Sequence, residues 1–292
     1  MADFLQLLIS GLATGAIYAL AAIGFTLLWQ TSQTINFAQG EFVMVPAFLA
    51  LIAMRWLGLP FLASLLVAVL ASMLLLGVAF RYVIVGPLIR RGVLPLVIST
   101  IALGILLKEG VKDFYSAEAQ SFPTLLPDTL ITVAGVSVSL AQLGVLLVAF
   151  VAIGGLQWFL AGTRTGRQMQ ATAQNPTVAQ ILGVPIERMI LYTFLINAVL
   201  AAMASVLISP IYLAKFSNGE TLGLIAFVAA IVGGFNQVRG AIVGGLLIGV
   251  LDNLAAAYVS TAYRQAIPLL LLVLVILFRP QGLLGRREER AV

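Results

Sequence analysis

The chain has 292 residues, 61% hydrophobic and 9% charged, with 16 Lys and Arg against 11 Asp and Glu. A soluble domain of this size carries about a quarter charged residues to face water, so most of this surface must face lipid. With no Cys and no His in the sequence, disulfides, thiolate nucleophiles and the commonest metal ligands and general base are excluded, which argues against an enzyme and against a cofactor or metal.

A spanning helix needs about 20 mostly apolar residues. In chain order the candidate spans are 4–29, 42–57, 59–85, 93–107, 140–160, 189–213, 222–235, 241–259 and 267–278. They predict an all-α, polytopic membrane protein of eight or nine transmembrane helices, forming a single transmembrane domain over 1–292. Residues 1–6 carry Asp3 and no Lys or Arg. The first span lacks the basic start of a signal peptide and is long for one, so it is expected to be retained. The net charge of +5 comes from arginines scattered at the ends of apolar runs, so nucleic acid is not an expected partner. None of Lys108, Lys112 and Lys215 stands in a GxxxxGK[ST] phosphate loop, so any ATP driving this protein is bound by another chain.

Orientation follows from the positive charges. With the 162–188 loop in the cytoplasm, the inside holds Arg81, Arg90, Arg91, Arg164, Arg167, Arg188, Arg239, Arg279, Arg286, Arg287 and Arg290. The outside holds Arg55, Lys108, Lys112, Lys215 and Arg264. This bias predicts a cytoplasmic C-terminus and, with nine crossings, an N-terminus outside.

Polar residues interrupt the spans at few places, and ionisable groups at membrane depth are functional candidates. Glu41 follows Asn36, Gln39 and Gly40 at the start of the second span. It is either a helix-starting carboxylate at the cytoplasmic boundary, stabilised by the amide dipoles, or part of the inner mouth of a path that Asn36 and Gln39 also line. A second Phe-x-[Gln/Asn]-Gly-Glu string occurs at 216–220. Inverted repeats meeting near the midplane would produce such a pair, and so would chance or shared helix-start chemistry. Asp252, beside Asn253, lies about 20 Å along a helix from Arg239. It either bonds a neighbouring helix or faces an aqueous path. Lys108, Glu109, Lys112 and Asp113 read as a solvated outer helix end, or as a contact for a soluble partner. The GxxxG spacings Gly11/Gly15, Gly240/Gly244 and Gly245/Gly249 predict close helix packing in lipid.

The longest polar connection holds RTGRQMQATAQNPTVAQILGVPIER, from Arg164 to Arg188. Asn175 is a good N-cap, Pro176 suits the first helical position, Gly183 can close the helix in the left-handed conformation and Pro185 stops it. Val178, Ile181 and Leu182 give this short helix one apolar face. It is either a docking element for a soluble partner or an interfacial helix on lipid headgroups.

The run TGRQMQATAQNPTVAQILGVP resembles the cytoplasmic loop of branched-chain amino acid ABC permeases. INFAQGEF at 35–42, VGGFNQVRGAIVGG at 232–245 and FRPQGLLGR at 278–286 are similar to other segments of that family in the same order. The likeness spans nearly the whole chain and fits the smaller of the family's two permease types. Gln170 stands where many members carry a basic residue. The resemblance implies an inner-membrane ABC importer with a second, different permease chain, two ATPase subunits and a periplasmic solute-binding protein. It also implies a coupling helix that includes Arg167, Ala171, Asn175, Pro176, Val178, Ile181, Leu182 and Gly183. Its members are associated with leucine, isoleucine and valine, and also with urea, amides and other small acids. The competing reading is a proton- or sodium-driven secondary transporter using Glu41 or Asp252.

Overall fold

The structure is a computed structural model, and it describes residues 2–89, 91–127, 129–133, 136–264 and 266–285. Arg90, Arg286, Arg287 and Arg290, placed inside by the charge argument, lie outside the described residues. In chain order the elements are α1 (Ala2–Ser32), α2 (Gln39–Trp56), α3 (Phe61–Ser72), a π-helical stretch (Met73–Val85) and α4 (Gly86–Ile89). Next come α5 (Val93–Phe114), β1 (Leu130–Val133), β2 (Val136–Ser139), α6 (Leu140–Gly162), α7 (Arg164–Gln174) and α8 (Pro176–Ile181). The chain ends with α9 (Ile186–Tyr212), α10 (Asn218–Gly233), α11 (Val238–Tyr258), a 3₁₀ turn (Thr261–Tyr263) and α12 (Ala266–Phe278). Among the described residues, 6 helices are long and apolar enough to cross a membrane: α1, the continuous Phe61–Ile89 helix, α5, α6, α9 and α11.

Each apolar run of the sequence is helical, and the all-α expectation holds apart from one antiparallel hairpin pairing Leu130 with Ser139 and Val133 with Val136. Two departures from expectation matter for the site. Helix α5 continues to Phe114 rather than stopping near 107, so Lys108, Glu109, Lys112 and Asp113 ride on its last turns, where Lys112 pairs with Glu109 and Lys108 with Glu220 of α10. Helix α7 was not expected from the sequence. It is capped by Thr163, whose hydroxyl accepts from the Gly166 amide at 2.9 Å, and it buries Met169 and Thr172 while Arg167 and Gln170 face out. A polar helix of this kind has a weak apolar period and is set by its cap and its support rather than by hydropathy.

The core is organised around α1, which is buried along most of its length. Its glycines let α11 approach closely: a Cβ on Gly11 would lie 2.7 Å from Val250 Cα, and one on Gly249 would lie 2.2 Å from Gly15 Cα. On the other side of α11, a Cβ on Gly244 would lie 2.0 Å from the Ala229 carbonyl of α10. In lipid, helices gain little from hiding apolar surface from each other, so association rests on such backbone proximity. The GxxxG spacings are therefore packing devices here. Leu62, Leu66 and Leu70 on α3 and Leu270, Leu274 and Leu277 on α12 stay exposed, as lipid-facing surfaces do.

One end of the bundle gathers the start of α1, the 115–139 connection and the 213–217 connection, tied by Arg55 to Gln120 at 2.7 Å and by a backbone bridge between Gln120 and Ala214. The other end gathers the end of α1, α7, α8 and the 234–237 turn, tied by Gln30 to the Asn236 carbonyl at 2.6 Å and by an ion pair between Arg81 and Glu187.

Candidate translocation site

After α1 ends, residues 33–38 fold back into the bundle before α2 begins. The position of Gln39, the first residue of α2, fixes how far. Its Nε2 donates to Asn197 Oδ1 at 2.8 Å, and Asn197 Nδ2 donates back to Gln39 Oε1 at 3.0 Å. Both amides are fully buried. A Cβ on Gly24 would lie 2.0 Å from Asn197 Oδ1, so that glycine makes the space for the pair. Gly24 is about 12 Å inside the end of α1, and Asn197 about 16 Å inside the start of α9, at 1.5 Å per residue. Helix α2 thus starts near mid-depth. The sequence leaves Glu41 open to two readings, a helix start at the cytoplasmic boundary or part of the inner mouth of a path; the structure places it on a helix start inside the bundle, because the chain re-enters before α2 begins.

Helix α10 begins at the same depth from the opposite direction. A Cβ on Gly40 would lie 1.9 Å from the Gly219 carbonyl oxygen and 2.9 Å from Gly223 Cα. Val43, Met44 and Ala47 of α2 line a small gap with Asn218 and Leu222 of α10, so the two first turns overlap antiparallel. The two Phe-x-[Gln/Asn]-Gly-Glu strings meet backbone to backbone through their glycines. Neither helix start has a side-chain cap bond. The two helix starts lie side by side, and the buried Glu41 carboxylate lies against Gly219. Half-membrane helices meeting at the midplane put positive dipole ends and polar side chains where a solute must cross. Asn36 supports the turn: its Oδ1 accepts from the Ala38 amide at 3.0 Å and its Nδ2 reaches Gln39 Oε1 at 3.4 Å. Asn197 was not singled out from the sequence, although an asparagine inside the apolar run 189–213 was a usable signal.

The amide pair gives a test of its own. Gln39→Leu leaves the Asn197 amide buried without a partner, costing about 1–3 kcal/mol, whereas replacing both by Leu is closer to neutral. The expected result is a lower melting temperature in detergent for Gln39→Leu, partly restored in Gln39→Leu/Asn197→Leu.

A second polar group sits nearer the end that carries the α1 N-terminus. Asp252 is 2% exposed and accepts from Arg264 Nε at 2.6 Å, Arg264 Nη2 at 2.7 Å and the Tyr18 hydroxyl at 3.3 Å. Arg264 also donates to the Tyr212 hydroxyl. Asp252 therefore bonds neighbouring elements, and it also borders a cavity of about 250 Å³ shared with Tyr212, Lys215, Asn218 and Thr221. Asn253 faces elsewhere, bonding the Gly249 carbonyl at 3.0 Å and the Ser10 hydroxyl at 3.4 Å. Arg264 entered the sequence reading only as an outside charge. Its partner is twelve residues away across a turn, beyond any local pattern.

At the opposite end, α8 has the expected cap. Asn175 Oδ1 accepts from the Val178 amide at 3.0 Å, Pro176 stands at the first helical position and Gly183 has φ 82°. Val178, Ile181 and Leu182 are exposed while Ala179 is buried against the bundle. Arg167 is exposed and Ala171 half-buried on α7.

These features can be compared with known proteins. Residues 7–276 match the family described as branched-chain amino acid transport system / permease component. The chain belongs to this family. The permease is 36% identical, over 99% of its length and 98% of the relative's, to the high-affinity branched-chain amino acid transport system permease protein BraD of Pseudomonas aeruginosa. It is 32% identical to LivH of Escherichia coli K12, again over 99% of this chain and 98% of the relative. A probable LivH permease of Methanocaldococcus jannaschii is 30% identical over 91% of this chain and 88% of its own. No solved structure matches the chain. As a permease component of an ABC importer it is a transport subunit, and the secondary-transporter reading is set aside.

Proposed function

We propose that this permease pairs with a second, different permease chain in a bacterial inner membrane and carries branched-chain amino acids or similar small amino-acid or amide solutes inward. Two ATPase subunits supply the energy and a periplasmic binding protein delivers the solute. The names of its relatives support the solute class. The described residues form one membrane domain, and we read 1–292 as that domain with a coupling loop at 162–188. Arg81, Arg91, Arg164, Arg167, Arg188, Arg239 and Arg279 gather at the end bearing α7 and α8, which favours a cytoplasmic C-terminus and a periplasmic N-terminus.

The observation that carries the coupling proposal is an exposed apolar face on a helix held rigidly in place. Val178, Ile181 and Leu182 are 49%, 80% and 76% exposed on α8, which is fixed by Asn175, by Gly183 and by its packing through Ala179. Its apolar face is small and flanked only by Arg164, Arg167 and Arg188, so it would hold weakly to lipid headgroups. It suits a groove on an ATPase, whose closure would then push on α7 and α9. Arg167 and Ala171 lie on the same support. For the path, Asn36 and Gln39 pin the start of α2, Gln39 through Asn197 of α9, Glu41 sits where the two half-helices meet, and Asp252 borders the outer cavity; Asn253, also expected along the path, bonds Gly249 and Ser10 instead.

Affinity capture of the tagged permease from detergent-solubilised membranes tests this reading. Wild type should bring down ATPase subunits, and Val178→Glu should lose them while still folding. Capture that ignores the substitution would move the docking site off α8. Absence of any ATPase with wild type would remove the ABC assembly itself.

A further inference from the structure

Lys108 Nζ and Glu220 Oε1 form an ion pair at 2.5 Å on an outward face made by α5, α10 and α12. The depth of this pair follows from its neighbours. Gly219 packs on Glu41, and Gly104, one helical turn before Lys108, packs on Glu41 and Ala38. Both charges thus sit near the level where the two half-helices meet. Yet the Glu220 side chain is 63% exposed and that of Lys108 22% exposed. A carboxylate held open at that depth cannot face hydrocarbon. Beside it runs a groove of about 210 Å³ between α10 and α12, walled by Leu224, Ile225, Val228 and Leu269. At one end of the groove stand Thr221 and Glu220, the latter paired with Lys108, and the rest is apolar.

We propose that this face is a transient binding site for the zwitterion of an aliphatic amino acid. The solute ammonium takes the place of Lys108 at Glu220, the solute carboxylate takes the place of Glu220 at Lys108, and the side chain lies along Leu224 and Val228. An ion pair and a zwitterion are complementary charge for charge, so opening the pair leaves no charge unmatched. A water-exposed pair is weak, so the exchange is cheap in both directions, as a site that must also release its solute requires. This inference rests on the amino-acid importer reading, and it adds the surface that lines the path.

The test uses the complete importer in proteoliposomes. Because the chain contains no Cys, Leu224→Cys, on the exposed groove wall with both charges kept, can be probed with a membrane-impermeant thiol reagent, with the unsubstituted importer as background and Leu70→Cys as a lipid-facing control. Leu224→Cys should be modified, Leu70→Cys should not, and leucine with its binding protein should slow the modification several-fold. Lys108→Met and Glu220→Gln should cut leucine uptake about 10-fold or more while ATP hydrolysis stimulated by the loaded binding protein persists. If wild-type vesicles take up leucine but Leu224→Cys stays unmodified in every nucleotide state, the face is covered by lipid or the second permease and the site is wrong. Normal uptake by both charge variants would overturn it equally. Wild-type vesicles that move no amino acid would overturn the importer reading, and the site with it. If the charge variants fail to assemble, the modification and its protection by leucine decide alone.

Discussion

Gly40→Ala is expected to abolish transport and sharply lower the melting temperature of the purified permease. The added Cβ would stand 1.9 Å from the Gly219 carbonyl oxygen and 2.7 Å from its carbon, and both are backbone atoms that no rotamer change can remove. One helix would have to retreat. Helix α2 is held at its first residue by the Gln39–Asn197 pair and further along by the Ala47 amide donating to Ser205 Oγ at 2.9 Å. Helix α10 is held through Gly244, whose Cβ position lies 2.0 Å from the Ala229 carbonyl. Overpacking a tight core costs about 1–3 kcal/mol when side chains can yield, and a backbone contact should reach or exceed the top of that range. Fluorescence-monitored melting in detergent, paired with uptake in proteoliposomes, measures both effects. A stable and active Gly40→Ala would mean that the two helix starts do not approach as described.

The second large effect concerns Arg264. Arg264→Leu leaves Asp252 as a buried carboxylate whose remaining hydrogen bond comes from Tyr18, and it should cost about 3–5 kcal/mol, the range for breaking a buried pair. Asp252→Asn should cost less, because the Arg264 side chain is 31% exposed and keeps access to water, whereas Asp252 is 2% exposed. The double variant Asp252→Asn/Arg264→Leu should be more stable than Arg264→Leu alone. Melting of the four proteins gives the coupling energy directly. A coupling near zero would mean the pair is open in the membrane. Because Arg264 lies between the 3₁₀ turn and α12, and also donates to Tyr212 of α9, the same series reports whether this connection must stay pinned for transport.

The order of the apolar runs, the GxxxG spacings and the Asn-Pro start of α8 were legible because each is a local property: hydropathy over a window, small residues one turn apart, a capping side chain before a proline. The limits are seen in single residues. Gln39 and Asn197 are 158 positions apart, and nothing local to either says that they meet. Glu41 could be read either as a boundary residue or as part of an inner mouth, because a linear pattern carries no depth. The second Phe-x-[Gln/Asn]-Gly-Glu string was visible, but five residues cannot distinguish a repeat from coincidence. Lys108 read as part of a solvated end, since the pattern could not tell that α5 continues beyond it and faces α10 there.

The sequence by itself determined that this chain lives in lipid, crosses it with helices, performs no His or Cys chemistry and presents a capped helix between two spans. Those conclusions need only transfer free energies and backbone preferences, which are properties of short segments. Its motifs also carried the family. The tertiary structure decided that α2 and α10 start inside the membrane and meet through Gly40, Gly219 and Gly223, that Asp252 is held by Arg264, and that a charged pair stands open at mid-depth. Depth and pairing arise when the chain folds back on itself, and that is set by which backbones can touch, a long-range relation that no window of the sequence contains.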